Sequence, residues 1–103
     1  MTTIKDAQTW TKEAWKQSDK ALTDNDMYLF LMEEIGEMAE AIRKMKGNKA
    51  NKPFTPDLEK ELGDILLSLL TIAVRYDIDL EKAFEKTKNQ FMIAMQGPRV
   101  RQV

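Results

Sequence analysis

LEKELGDILLSLLTIAVRY, at residues 58–76, is the stretch that decides the fold. Aliphatic residues recur in it every three or four positions, which predicts an α-helix, and additional leucines widen the apolar stripe over most of the helix circumference. The exception is a narrow polar strip made of Glu61, Asp64, Ser68, Thr71 and Arg75. So wide an apolar surface agrees with a chain that buries part of it against further subunits.

Three further segments show helical periodicity, so the sequence predicts four helices. They are expected at about residues 4–22, 26–46, 56–76 and 80–95, with residues 99–103 as a tail. The expected caps are Asp24 or Asn25 for the second helix, Thr55 for the third and Asp79 for the fourth, and the expected stops are Gly47 and Gly97-Pro98. No stretch alternates with period two for long enough to form a strand, so the predicted fold class is all-α, a four-helix bundle of two antiparallel hairpins.

Composition limits what the chain can do. Its 103 residues predict a single domain over residues 1–103, small enough that oligomerisation would help to bury its apolar faces. The 16 Lys and Arg nearly balance the 17 Asp and Glu, so the net charge of -1 gives no general attraction to nucleic acid or to a membrane surface. The absence of histidine and cysteine excludes Ser-His-Asp catalysis, Glu-x-x-His di-iron sites, zinc-thiolate sites and disulfides.

The ends and the apolar runs of the sequence bear on its location. The first ten residues are polar and lack the apolar core of a signal peptide. The longest apolar stretch, 65–74, is far shorter than the roughly 20 residues that span a bilayer. We therefore expect a soluble, unprocessed, cytoplasmic protein.

One short pattern occurs twice, as EIGEM at residues 34–38 and ELGDI at residues 61–65. Each places two acids three positions apart, so the two carboxylates lie side by side on their helix. The central glycines, Gly36 and Gly63, each disfavour a helix by about 1 kcal/mol relative to alanine. Their repetition suggests either a close approach of helices or access for a ligand.

The four acids of this pattern fall in or beside apolar surface. Glu34 lies inside the apolar sector of the second helix and Glu37 lies at its edge, while the polar strip of the third helix carries Glu61 and Asp64. If the two helices pack antiparallel, four carboxylates converge in a mostly apolar setting, where unpaired charges are strongly unfavourable. An oxygen cluster without histidine suits Mg²⁺ or Mn²⁺, whose remaining coordination positions take water and phosphate oxygens.

Two other functions are compatible with the same acids. Acids with this spacing are common on solvated helices, and the chain would then be a non-catalytic helical oligomerisation module whose acids form interhelical ion pairs with Lys and Arg. It would respond little to Mg²⁺. A nucleotide sensor would instead carry the same cluster, bind nucleotide and release no pyrophosphate.

The residues Glu33-Glu34-x-x-Glu37, followed after a loop by Glu61-x-x-Asp64, resemble the signature of the MazG-like all-α nucleotide pyrophosphohydrolases, a family similar in fold and motif to the dimeric dUTPases. The resemblance covers about residues 28–89. It implies hydrolysis of a nucleoside triphosphate to the monophosphate and pyrophosphate, an activity suited to nucleotide-pool house-cleaning. It also implies dimers or tetramers, with Mg²⁺ bound at the positions of Glu34, Glu37, Glu61 and Asp64.

The resemblance further implies residues around the phosphates and the attacking water. Glu33 would either accept a proton from that water or hold a metal ligand in place. Relatives often carry a lysine four residues before the position of Asn89, where this chain has Glu85. Lys82 or Lys86 could substitute for it from the adjacent turn.

Two tryptophans near the N-terminus are candidates for contact with the base. Trp10 and Trp15 could each stack on a nucleobase, because an aromatic ring offers a face that tolerates any base. Packing in the core or at a subunit interface is the simpler interpretation of both. The sequence does not identify the base or the sugar.

Overall fold

Four α-helices make up the computed structural model, which describes the backbone of residues 2–18, 23–46 and 56–101 and the side chains of residues 2–18, 23–46 and 58–96. They are α1 (Ile4–Gln17), α2 (Asp24–Lys46), α3 (Pro56–Arg75) and α4 (Leu80–Arg101). No described residue lies in a strand. The predicted all-α class is therefore confirmed.

The helix α3 lies at the centre of the fold and packs against both α2 and α1. α2 and α3 are antiparallel, because Asp24 at the start of α2 binds Arg75 at the end of α3, with 3.1 Å between Oδ1 and Nε. α4 makes its main contacts with α1. Within the described residues, α3 and α4 follow one another in the chain without packing extensively together, so the predicted α3–α4 hairpin is opened out. The most buried apolar side chains are Met27, Ala41, Leu70 and Ala73.

The start of α2 is capped by a threonine. Thr23 Oγ1 accepts a hydrogen bond from the Asp26 N–H at 3.1 Å, and Asp26 Oδ2 accepts one from the Thr23 N–H at 3.4 Å. A similar reciprocal pair begins α1. The expectation that Asp24 or Asn25 caps this helix is wrong, because the reciprocal pair satisfies two free N–H groups together.

Two helix ends differ from the predicted ones. α1 stops at Gln17, five residues earlier than expected, because Ser18 adopts extended backbone and its N–H bonds the Trp15 carbonyl at 3.2 Å. α4 runs through Gly97 and Pro98 to Arg101, so the predicted stop is wrong. An exposed helix tolerates proline because the carbonyl that faces the ring can tilt into water. The predicted stop Gly47 and cap Thr55 lie outside the described residues.

The connection between α3 and α4 is a tight turn. Asp77 has a φ of 55°, a left-handed conformation that aspartate tolerates better than most residues, and the Ile78 N–H bonds the Ala73 carbonyl at 2.8 Å. Asp79 then accepts the Lys82 N–H at 3.1 Å. The prediction that Asp79 caps the fourth helix is confirmed.

Polar contacts join α1 to this turn, in a region that we call the α1–α4 junction. The Gln8 side-chain amide donates to the Ile78 carbonyl, and its oxygen accepts the Leu80 N–H at 3.0 Å. The Lys5 N–H donates to Glu81 Oε1 at 3.1 Å. α4 is thereby attached to the rest of the chain at its first turn.

Large apolar side chains beyond that turn remain exposed. Phe91 is 62% exposed and Ile93 is 68% exposed. The Cα radius of gyration is 17.6 Å, whereas a compact domain of about 100 residues has about 13 Å. An oligomer would cover such surface, and oligomerisation stays a prediction. Within the described part of the chain, no helix combines the length and apolar character needed to cross a membrane.

Candidate metal centre

Three carboxylates converge between α2 and α3. Glu34, Glu61 and Asp64 each offer one oxygen, and these oxygens lie within 4.8 Å of one another. Glu61 is only 8% exposed, while Glu34 and Asp64 are half-buried. Oε2 of Glu34 and Oε2 of Glu61 are buried without a hydrogen-bond partner among the described residues. Buried carboxylate oxygens normally have a partner, and an all-oxygen set with free lone pairs fits a hard divalent cation.

The fourth predicted ligand, Glu37, lies beside this group, which we call the acidic cluster (Glu34, Glu61 and Asp64). Its side chain is exposed, and a hydrogen bond from protonated Glu37 to Glu61 raises the pKa of Glu37. The pKa of Glu61 is also raised, first because burial disfavours its charged form and further because of its contact with Glu34. Glu37 and Glu61 therefore hold protons more tightly than isolated carboxylates do, which is expected where negative charges are crowded.

Lys60 is the cation in contact with the acidic cluster within the described part of the chain. Its Nζ lies 2.8 Å from Asp64 Oδ2, across one turn of α3. This hydrogen bond raises the pKa of Lys60. Glu34 and Glu61 form no ion pair in the described regions. Among the described residues, the interhelical ion pairs expected of an oligomerisation module are therefore not formed at this cluster.

A cavity of about 260 Å³ opens next to the acidic cluster. Two of the three clustered carboxylates form part of its wall, and most of the remaining wall is aromatic or aliphatic. Its volume is somewhat below the roughly 300–1,000 Å³ of sites that enclose drug-sized ligands, so it has room for one ring system and little more. The lining residues are Trp15, Met27, Phe30, Glu34, Asp64, Leu67, Ser68 and Thr71.

The two tryptophans have different positions. Trp15 is half-buried and lines this cavity, and its Nε1 donates to Thr71 Oγ1 at 3.0 Å. Trp10 is 63% exposed and lines a separate depression that includes Gly63. The structure thus brings Trp15, but not Trp10, to the acidic cluster. Sequence reasoning gave Thr71 no functional role, although its spacing of seven residues from Asp64 places both on one face of α3.

The other predicted site residues are exposed. Glu33 precedes Glu34 on α2, and Lys82, Lys86 and Asn89 lie on α4. None of these four lines the cavity described above. Their roles stay predictions.

The glycines of the repeated pattern have open space around them. A Cβ added to Gly36 or Gly63 would meet no atom within 4 Å among the described residues. Among the described residues, a close approach of helices therefore explains neither glycine. The alternative, access for a ligand, stays a prediction.

Comparisons with known proteins identify a family and one relative. The model of the MazG nucleotide pyrophosphohydrolase domain matches residues 22–92, which include the acidic cluster. The chain is also 36% identical over 63 residues to the uncharacterized protein YpjD of Bacillus subtilis (strain 168), an alignment that covers 59% of this chain and 57% of YpjD. The chain thus matches little more than half the length of that relative. No solved structure matches the chain. By the extent of the family match, the chain belongs to the MazG nucleotide pyrophosphohydrolase domain family.

Proposed function

We propose that this domain hydrolyses a ribo- or deoxyribonucleoside triphosphate to the monophosphate and pyrophosphate, with Mg²⁺ or Mn²⁺ held by the acidic cluster and Glu37. The strongest support is the pair of unpartnered buried oxygens, on Glu34 and Glu61, close to a cavity of about 260 Å³. Family membership supports the class of reaction. A site without nitrogen or sulfur ligands favours a hard cation that binds phosphate oxygens as well.

The metal, the cavity and Glu33 would have separate roles in the reaction. When bound, Mg²⁺ would neutralise phosphate charge and lower the pKa of an attacking water. The cavity would take the base, which places the phosphates at its acidic edge, next to Glu34 and Asp64. Glu33 would accept a proton from the attacking water at a carboxylate oxygen, or would orient Glu34. The bond that breaks lies between the α and β phosphorus atoms.

The proposed enzyme is a homodimer or homotetramer. Exposed apolar side chains on α4, including Phe91 and Ile93, support this proposal, since a second copy would cover them. Lys82, Lys86 and Asn89 would then contact phosphates from a neighbouring subunit. Light scattering on the protein as it elutes from a size-exclusion column would give the number of subunits. A monomer would contradict this part of the proposal.

The decisive test is pyrophosphate release from a panel of canonical and modified nucleoside triphosphates. Each nucleotide would be assayed with Mg²⁺, with Mn²⁺ and with a chelator. Metal-dependent release with one preferred nucleotide is the expected result. Binding of nucleotide with no release would favour a sensor, and neither binding nor release by the folded protein would favour an oligomerisation module.

A further inference from the structure

We propose that Thr71 is a positioning residue that fixes the indole of Trp15 as a wall of the nucleobase cavity. The proposal rests on the proposed function of that cavity as the base site. It assigns Thr71 neither a catalytic step nor contact with the metal. The carrying observation is the hydrogen bond from Trp15 Nε1 to Thr71 Oγ1, 3.0 Å long, which crosses from α1 to α3.

The orientation of the Thr71 hydroxyl is determined by a second hydrogen bond. Thr71 Oγ1 donates its proton to the Leu67 carbonyl at 2.8 Å. A hydroxyl has one proton to donate, so an oxygen lone pair is left to face the indole. An indole N–H can only donate. The Trp15 indole N–H and the remaining lone pair of Thr71 Oγ1 are therefore a matched donor and acceptor in the orientation that the structure shows.

Because Thr71 is buried, its hydrogen bond favours one orientation of the Trp15 indole. Thr71 is 8% exposed and lies in a mostly apolar wall, where a buried polar group without a partner is unfavourable. Rotation of the indole away from Thr71 would leave its N–H without that acceptor. The side chain of Trp15 is thus held in place before a ligand arrives, and prior ordering reduces the entropy that a ligand must lose on binding.

The position of Thr71 along α3 links this contact to the acidic cluster. Asp64 and Thr71 are seven residues apart on one face, so roughly 10 Å of helix separates them at about 1.5 Å per residue. A nucleotide with its phosphates at Asp64 would lie along this face with its base next to Trp15. Loss of the Thr71 contact should weaken binding of the base and leave the chemistry at the phosphates unchanged.

The test compares two threonine-to-valine variants. Each removes a hydrogen bond from the threonine hydroxyl to the carbonyl four residues earlier on its own helix. Thr11 on α1 also donates to the carbonyl four residues earlier, Ala7, at 2.8 Å, and it is fully buried. Unlike Thr71, it does not line the cavity. Thr11→Val therefore controls for the loss of a buried hydroxyl, whereas Thr71→Val also removes the acceptor for the indole.

Both variants would be made in a Trp10→Phe background, so that fluorescence reports Trp15 alone. Kinetics of that background serve as the reference. Thr71→Val should raise KM about three- to tenfold, the effect of one hydrogen bond, with kcat unchanged. It should also shift Trp15 emission to longer wavelength and increase its quenching by acrylamide. Thr71→Ser, which keeps the acceptor, should restore all three values, and Thr11→Val should leave them at the reference.

Each outcome decides the proposal. Unchanged Trp15 emission in Thr71→Val, or an equal KM effect from Thr11→Val, would overturn it. If Thr71→Val does not fold, Trp15→Phe, which removes the donor instead, must raise KM, and an unchanged KM would overturn the proposal. If the reference protein binds nucleotide without hydrolysis, the proposed function fails, but nucleotide titration of Trp15 fluorescence still tests Thr71. No quenching by any nucleotide would overturn the proposal itself.

Discussion

The α1–α4 junction and the acidic cluster at the α2–α3 interface differ in whether their polar side chains have hydrogen-bond partners. At the junction, both ends of the Gln8 amide have backbone partners, Ile78 and Leu80. At the interface, Glu34 is half-buried, Glu61 is buried, and each has a buried oxygen with no partner among the described residues. Polar groups that satisfy one another maintain the fold, whereas acids crowded together without partners indicate a site for a ligand.

The largest effect is expected where one acid of the acidic cluster is neutralised. Glu34→Gln or Asp64→Asn should each lower the hydrolysis rate by about a hundredfold or more, because each removes a charged ligand for the metal. The fold should be retained, and without metal it should be more stable, since repulsion within the cluster is relieved. Pyrophosphate release and circular dichroism would measure the two effects.

A matched control for these variants lies on α2, the helix of Glu34. Glu40 pairs with Arg43 at 2.8 Å and does not belong to the acidic cluster, so Glu40→Gln should leave hydrolysis unchanged. Full activity in both cluster variants would show that the reaction takes place elsewhere. Equal losses in all three variants would indicate a general effect of charge.

The junction should respond in stability rather than in metal binding. Gln8→Ala removes one donor and one acceptor and should lower the free energy of unfolding by about 1–2 kcal/mol. Urea denaturation would measure this change, while Mn²⁺ affinity should stay at the wild-type value. Gln17→Ala, at the exposed end of the same helix, controls for loss of a glutamine. A similar destabilisation by Gln17→Ala would contradict the role assigned to the Gln8 contacts.

These two regions were not equally predictable from sequence. The acid pairs could be found because a spacing of three residues on a helix places two side chains together, whatever packs against that helix. The junction depends on contacts between residues more than 70 positions apart, such as Gln8 and Leu80, and a single glutamine leaves no periodic signal.

The choice between the tryptophans was also beyond sequence reasoning. Trp10 and Trp15 lie on one helix, and which of them faces the acidic cluster depends on how α1 rotates against α3. The structure settles that rotation with the hydrogen bond from Trp15 to Thr71. Thr71 was visible in the polar strip of α3, but its partner on another helix was not.

A smaller effect should follow pH, because the pKa of Glu61 is raised by burial and by its neighbours. A carboxyl with a raised pKa stabilises the fold in its protonated form, fully below its unfolded pKa of about 4.3. That contribution is lost as pH rises through the raised pKa. In the presence of chelator, the melting temperature of Glu61→Gln should therefore equal that of the wild type near pH 4 and exceed it by a few degrees at neutral pH. For the control Glu59→Gln, on the exposed side of α3, the difference in melting temperature from the wild type should not grow with pH. A pH-independent difference for Glu61→Gln would contradict the raised pKa of Glu61.

The smallest effect concerns Lys60, whose pair with Asp64, like the Gln8 contacts at the junction, satisfies a polar side chain. Its pair with Asp64 is largely exposed, at 69% and 36% of the two side chains, and such pairs contribute at most about 1 kcal/mol. Lys60→Gln frees Asp64 and removes a positive charge near the cluster, so Mn²⁺ affinity by titration calorimetry should rise about two- to threefold. Lys16→Gln, which breaks a comparable exposed pair with Glu13 on α1, should leave it unchanged. Weaker Mn²⁺ binding by Lys60→Gln would mean that Lys60 orients Asp64 as a ligand instead of competing for it, and the contrast between the two regions would then not hold at this position.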